Sequence, residues 1–298
     1  MECLGCGTGK ERTRDQTAVI SQLRPDYPLD LLLKLAELPR SSYYYAVERL
    51  KAAQTYNDER AAIRLICEEH KGRYGYRRVT LALREKGFGT NHKLVMKLMK
   101  AESLTCQLRK KRYRPNQGHE GRIAPNLLDQ DFTAELPNQK WATDVTEFNL
   151  LGKRLYLSPI LDLFNGEVIS YKVSRSASFE LVMTMLKQAF QTLPDGSGLI
   201  LHSDQGWQYQ MKTYQRLLAE KGVRQSMSRR GNCYDNAVIE NFFGMLKSEF
   251  FKRQKFASIE DFQYKLIDYL NYWNNDRIKA KLNGLSPVAY RAQLVIST

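Results

Sequence analysis

Lys140-Trp141-Ala142-Thr143-Asp144-Val145-Thr146-Glu147-Phe148-Asn149-Leu150 interleaves aromatic and β-branched side chains with polar ones. Such residues suit a pleated, half-buried surface, so the run predicts a strand. Leu151-Gly152-Lys153 breaks the pattern, Arg154 to Leu163 predicts a second strand, and Glu167 to Ser174 a third. Asn165-Gly166 supplies the turn between the last two. Together they read as an antiparallel meander.

Beyond the meander the hydrophobic period changes. Leu181, Val182, Met185, Leu186, Ala189 and Phe190 recur at helical intervals, which predicts a helix from Phe179 to Leu193 with Ser178 as N-cap. Gly198 to Ser203 reads as a short buried strand that ends at Asp204. Tyr214 to Lys221 predicts a helix, Val223 to Ser228 a fifth strand, and Asn236 to about Arg253 a long helix carrying Glu240. The order is β-β-β-α-β-α-β-α. It places Asp204 at a strand's carboxyl end, where open α/β sheets carry their chemistry.

Three acidic residues thus fall at structurally distinct places: Asp144 on the first strand, Asp204 after the fourth and Glu240 on the late helix. Carboxylates are the ligands Mg²⁺ prefers. Two such ions roughly 4 Å apart can stabilise both the attacking and the leaving oxygen of a phosphodiester exchange.

That order and those positions resemble the ribonuclease-H-like core of retroviral integrases and DDE transposases. Thirty-five residues lie between Asp204 and Glu240, the interval that family shows, and Lys247 follows Glu240 by seven, almost two helical turns and on the same face. More narrowly, the chain resembles the OrfB-type transposase subunit of the IS-three family of bacterial insertion sequences. The wording that carries this likeness is His202-Ser203-Asp204-Gln205-Gly206 through Tyr209, Ser228 to Ala237, Tyr272-Trp273-Asn274 and Leu285-Ser286-Pro287. Upstream, Arg73-Tyr74-Gly75-Tyr76-Arg77-Arg78-Val79, Asn91-His92-Lys93 and Leu98-Met99 resemble the helical segment that precedes the family's core. The likeness runs from about residue 25 to 292.

The resemblance implies an enzyme that cuts and joins DNA at the terminal inverted repeats of its element and inserts it into target DNA. Asp144, Asp204 and Glu240 would be both catalytic and metal-binding, holding two Mg²⁺ ions, with Mn²⁺ the alternative ion. Lys247 would approach the transposon end. Arg229, Arg230, Arg73, Arg77, Arg78, Lys93, Arg109, Lys110, Lys111 and Arg112 are the further candidate DNA contacts. Implied partners are double-stranded DNA, other copies of the chain in a synaptic complex, and an upstream-frame (OrfA) subunit or fusion. Asp162, Glu147 and Asp235 are rival ligands. Asp162 ends an apolar strand and Asp235 sits in a turn-rich loop, places where Asp commonly bonds backbone. His202 is expected to be packed or hydrogen-bonded. Two alternatives remain at this point, a ribonuclease-H-like nuclease that only hydrolyses and a non-catalytic DNA-binding regulator derived from a transposase.

Charge agrees with a polyanionic partner. The chain carries 46 Lys and Arg against 32 Asp and Glu, a net +14. Residues 1–128 hold 25 basic and 14 acidic residues, whereas residues 129–298 hold 21 and 18. The amino-terminal part reads as the electrostatic grip, whose affinity falls steeply with salt. No apolar run reaches the roughly 20 residues that span a bilayer, and the start lacks a signal peptide's pattern. A cytoplasmic, nucleoid-associated protein with no membrane partner is expected. Cys3 and Cys6 form one Cys-x-x-Cys, but the other three cysteines stand alone, too few for a closed four-ligand zinc site.

Residues 1–24 read as an amino-terminal extension and 25–107 as an all-α, helix-turn-helix-like DNA-binding region. In that region helices are predicted over Leu29 to Leu38, from a Ser41 cap to about Ala53, and over Asp58 to His70, Arg77 to Lys86 and Asn91 to Ala101. Tyr43-Tyr44-Tyr45 cannot all face one core. Residues 108–135 read as a basic linker, 136–255 as the ribonuclease-H-like mixed-sheet core, and 256–298 as a carboxyl-terminal helical extension. A Ser258-x-x-Asp261 capping box opens that extension, and Phe262, Leu266, Tyr269, Leu270 and Trp273 form a stripe that packs on the core.

Overall fold

A computed structural model describes residues 9–54, 56–104, 106, 123–193, 197–230 and 232–296. They form two compact units that divide between Thr105 and Cys106.

The first unit is helical: α1 Gly9–Leu23, α2 Leu29–Leu35, α3 Arg40–Gln54, α4 Asn57–Glu69, α5 Tyr76–Glu85 and α6 His92–Ala101. Ile20 of α1 packs with Leu32, Leu33, Leu38 and Tyr43, so a helix lies where only an extension was expected. Its sequence gave little warning, because Gly9–Leu23 is polar with few apolar residues. Ser41 does not cap α3; the helix already begins at Arg40 and takes Ser41 inside. Asn91 does cap α6, its side chain accepting from the Lys93 backbone N–H. Tyr43 is buried while Tyr44 and Tyr45 are exposed.

The second unit is a mixed sheet between two helical layers. Its strands are β1 Lys140–Thr143, β2 Thr146–Leu150, β3 Lys153–Asp162, β4 Val168–Ser174, β5 Ile200–Ser203 and β6 Arg224–Met227. Its helices are α7 Phe179–Phe190, α8 Lys212–Glu220, α9 Ala237–Glu249, α10 Ile259–Asn275 and α11 Pro287–Ile296. The predicted order is present, with one correction: the run 140–150 is two strands, separated at Asp144-Val145. Thr143 pairs with Ile160 and Thr146 with Leu157, so both halves keep one register on β3 and nothing is inserted. The residue opposite Asp144 in that register is Pro159. Because Leu163 N–H donates to the Lys140 carbonyl, hydrogen-bonded pairs fall at every second position, and Asp144 opposite Pro159 is one of them. Proline has no N–H to give, so the ladder opens there.

On the other side of β3 runs antiparallel β4, while β1, β5 and β6 are mutually parallel. Gly166 holds the β3–β4 turn at φ +70°, and a side chain there would strike Lys279 Nζ, which donates to the Asn165 and Gly166 carbonyls.

Side chains alternate across the sheet. Trp141, Ile160, Leu201 and Met227 pack with α7 and α8, whereas Ala142, Phe148, Leu157 and Leu161 pack with α9 and α10. Ser178 caps α7 by accepting from Leu181 N–H, and the helix ends at Phe190, three residues short of the expected Leu193. Likewise α9 ends at Glu249 and a separate short turn covers Phe251–Arg253. Ser258 Oγ accepts from Asp261 N–H and Asp261 Oδ2 accepts from Ala257 N–H at the start of α10. Phe262, Leu266, Tyr269, Leu270 and Trp273 join the same core as the sheet. Among the described residues no helix is long and apolar enough to cross a membrane.

Candidate active site

Asp144 follows β1 and Asp204 follows β5. These strands pair in parallel, with Ala142 opposite His202, so Asp144 and Asp204 stand level with each other two residues further on. Even-numbered positions on both sides of the β1–β2 gap, Ala142 and Phe148, face α9 and α10. The pleat is therefore unbroken and Asp144 points to the face where α9 lies. Glu240 is exposed on the first turn of α9.

Asp204 and Glu240 both lie within electrostatic reach of Asp144. Burial, then the negative charges of Asp204 and Glu240, push Asp144 well above the usual carboxylate range, against the pull of Val145 N–H and Lys247. Burial raises Asp204 also, opposed by its bond from Gly206 N–H. Two like charges this close resist ionising together, and a cation between them would relieve both. The donors are all hard oxygens, which fits a hard divalent ion. Among the described residues, however, no three carboxylate, histidine or cysteine side chains are gathered tightly enough to form a ready-made cage.

Backbone and side chains fix the pair. Asp144 Oδ1 accepts from Val145 N–H at 2.6 Å, and Asp144 Oδ2 accepts from Asn236 Nδ2 at 3.3 Å. Asp204 Oδ1 accepts from Gly206 N–H at 2.8 Å. A Cβ on Gly206 would stand 2.9 Å from that same oxygen, so any other residue there would displace the carboxylate. Tyr209, 1% exposed, is held edge-on to Tyr214. Burial and the charges of Asp144 and Asp204 hold it far above its ordinary pKa, so it stays protonated. Its place in the motif after Asp204 was visible in the sequence; its approach to Asp144 was not.

The remaining candidates fall in several environments. Lys247 Nζ lies 5.5 Å from the Phe148 ring centre, close enough for its charge to act on Asp144. Arg229 is committed to the fully buried Asp235 and to Asp129, while Arg230 is exposed. In the helical unit Arg77 and Lys93 are exposed, Arg78 lies over the Tyr74 ring, and Arg73 is largely buried. Arg109, Lys110, Lys111 and Arg112, like Cys3 and Cys6, lie outside the described residues.

The rival acids are occupied elsewhere. Asp162 is buried, accepts from Asn138 and Phe164 N–H, and pairs with Arg291 at 2.6 Å. Asp235 accepts from Arg229, Asn126, Gln130 and Asn232 and so ties down the loop before α9. Glu147 faces solvent 3.6 Å from Arg154. His202 is buried between Ser226 Oγ at 2.8 Å and Ser228 Oγ at 3.2 Å, and burial lowers its pKa.

Residues 134–233 match the integrase core domain family, residues 240–295 match a second family of the same description, and residues 55–112 match the HTH-like domain family. The InsK protein of insertion sequence element IS150 in Escherichia coli strain K12 is 50% identical over 275 residues, 92% of this chain and 97% of its own. Transposase InsF for insertion sequence IS3A, from the same strain, is 30% identical over 275 residues, covering 90% and 95%. This chain belongs to the IS-three family of insertion-sequence transposases. The transposase for insertion sequence element IS904 of Lactococcus lactis is 35% identical over 227 residues, 76% of this chain and 90% of its own. Of solved structures, the HTLV-2 integrase catalytic core domain in complex with magnesium aligns over 53% of this transposase and 98% of its own chain, with 18% identity and a TM-score of 0.43. The transposase thus has an integrase-like α/β core, a helical HTH-like region and a role in DNA transposition.

Proposed function

We propose that the transposase cleaves and joins DNA at the ends of its insertion sequence by in-line phosphoryl transfer, with Asp144, Asp204 and Glu240 holding two Mg²⁺ ions. One observation carries this reading: Asp144 and Asp204 stand level on parallel strands, and Asp204 and Glu240 both act electrostatically on Asp144. When bound, such ions activate the attacking hydroxyl and neutralise charge on the scissile phosphate. Asp144 and Asp204 would set the ions' position, because their own oxygens are fixed by Val145, Asn236 and Gly206. Glu240 would complete the set from α9, and Lys247, two turns further along, would meet the DNA end. The remaining work is positioning and charge neutralisation, with no covalent protein intermediate.

Residues 25–107 would grip DNA through exposed basic side chains such as Arg77 and Lys93, and 108–135 would link that grip to the core. The working form would be a multimer on two element ends, with an OrfA subunit or fusion as partner, in the bacterial cytoplasm beside the nucleoid. The test is an assay with oligonucleotides bearing the element's own ends, half of them pre-cleaved. Mg²⁺-dependent cleavage and strand joining are expected. Hydrolysis without joining would reduce the transposase to a nuclease, and binding without either would leave a regulator.

A further inference from the structure

Asn236 occupies the N-cap of α9, one turn before Glu240. Asparagine is favoured at that position because its side-chain oxygen accepts a backbone N–H of the first turn. Here, where the 3-10 turn Cys233–Asn236 runs directly into α9 and Asn236 has φ −119° and ψ 18°, the extended backbone of a cap is lacking and the side chain makes no such bond. The neighbouring Asn232 does use its oxygen that way, on Tyr234 N–H. Asn236 instead turns its Nδ2 onto Asp144 Oδ2 at 3.3 Å, and its Oδ1, in a residue only 6% exposed, is buried without a hydrogen-bond partner among the described residues. The orientation of the amide follows from charge, since the carboxylate needs the N–H₂ end facing it.

A buried amide oxygen without a donor has given up its hydration for nothing in return and is costly to keep. It persists where something absent from the isolated chain supplies the missing contact. The oxygen lies on the residue that bridges Asp144 to the helix of Glu240, in a region crowded with negative charge. A hydrogen-bond donor or a cation answers both the unsatisfied acceptor and that charge. Asparagine carbonyls are ordinary ligands for hard divalent ions.

We propose that Asn236 Oδ1 is a fourth oxygen ligand for a divalent cation held between Asp144 and Glu240, bonded to it directly or through one of its waters. Asn236 thereby couples Asp144 to α9 with one end of its amide and reaches the ion with the other. This rests on the metal reading of the three carboxylates, and the experiment separates the two.

The probe is MnCl₂ titrated into the full chain without DNA, with free Mn²⁺ followed by electron paramagnetic resonance and melting temperature measured on each variant. The arms are wild type, Asp204→Asn, Asn236→Leu and Asn236→Asp. Supporting ligation touches metal affinity by about 10–100-fold. Asn236→Leu, which keeps the volume, should therefore weaken Mn²⁺ binding at least tenfold, and Asn236→Asp, which keeps an oxygen, should bind at least as tightly as wild type. Mn²⁺ affinity within twofold of wild type in Asn236→Leu, with Asp204→Asn impaired, would overturn this proposal and leave the metal reading standing. A loss in Asn236→Asp as large as in Asn236→Leu would also overturn it, since the amide would then serve only to hold Asp144. If Asn236→Leu fails to fold, Asn236→Asp decides alone: binding at least as tight as wild type supports ligation by the oxygen, and a tenfold or larger loss overturns it. Equal Mn²⁺ binding by wild type and Asp204→Asn would remove the metal reading and this inference with it.

Discussion

Asp144 and Asp204 sit level across a parallel strand pair, each two residues beyond the matched Ala142 and His202. Parallel neighbours lie about 4.8 Å apart, so two carboxylates in this relation share one patch of the same face. The sheet supplies the spacing, and β-strand alternation supplies the common direction.

Replacing Asp204 by Asn keeps its shape and removes its charge. Cleavage and joining of element ends should fall by at least about 100-fold, while affinity for the same DNA stays within a few fold. Gel-shift and cleavage assays on one preparation check this; full activity would exclude Asp204 from the chemistry.

Lys247→Ala should weaken binding to the element's own ends more than it weakens Mn²⁺ binding, because an ammonium attracts phosphate and repels a cation. End affinity unchanged in fluorescence anisotropy would leave the residue without that role.

Pro159→Ala would restore the backbone donor that Asp144 lacks across the β1/β2–β3 ladder. The new amide at position 159 should be protected from hydrogen exchange, and cleavage should drop roughly tenfold as the Asp144 backbone is drawn into regular pairing. Rapid exchange at that amide would mean that the strand break has another cause.

Asp235 is held at a pKa of about 2, chiefly by its bonds from Arg229. A depressed carboxylate pKa stabilises the fold above its unfolded value near 4, and that stability disappears as pH falls through 4 toward 2. Wild type should therefore be more stable than Asp235→Asn at pH 7, and the gap should close between pH 4 and pH 2. A gap that does not narrow in acid would show that the ionised form is not what the loop needs.

Glu249 and Arg277 form a buried pair at 2.7 Å, with Arg277 stacked 4.3 Å over Trp273 and the Tyr269 hydroxyl donating to Glu249. Removing one partner strands a buried charge, so Glu249→Leu should cost about 3–5 kcal/mol in urea unfolding. The double change Glu249→Leu with Arg277→Met should recover most of it. A double variant no more stable than the single would contradict the stranded-charge explanation.

Much of the core was legible because its signals are local. The Ser178 and Ser258 caps, the Asn165-Gly166 turn and Asp204 at a strand end all follow from a few adjacent residues. What escaped depends on partners far along the chain. The break at Asp144 is caused by Pro159, fifteen residues away, and becomes visible only once the register is known. The Asn236 bond to Asp144 spans 92 residues. Within the helical unit, α1 was missed because Thr17 and Ile20 are the only buried side chains among its described residues. Arg73 illustrates the opposite error, a basic residue in a promising motif that the fold turns inward.

The central claim is that Asp144, Asp204 and Glu240 jointly hold paired cations at the scissile phosphate. A crystal structure of the transposase on a pre-cleaved element end, soaked with Ca²⁺ to block turnover, tests it most directly. Two ions should appear roughly 4 Å apart, both touched by Asp144, with Asp204 and Glu240 on either side. A well-ordered DNA complex whose three carboxylates remain apart, with no ion among them, would contradict it.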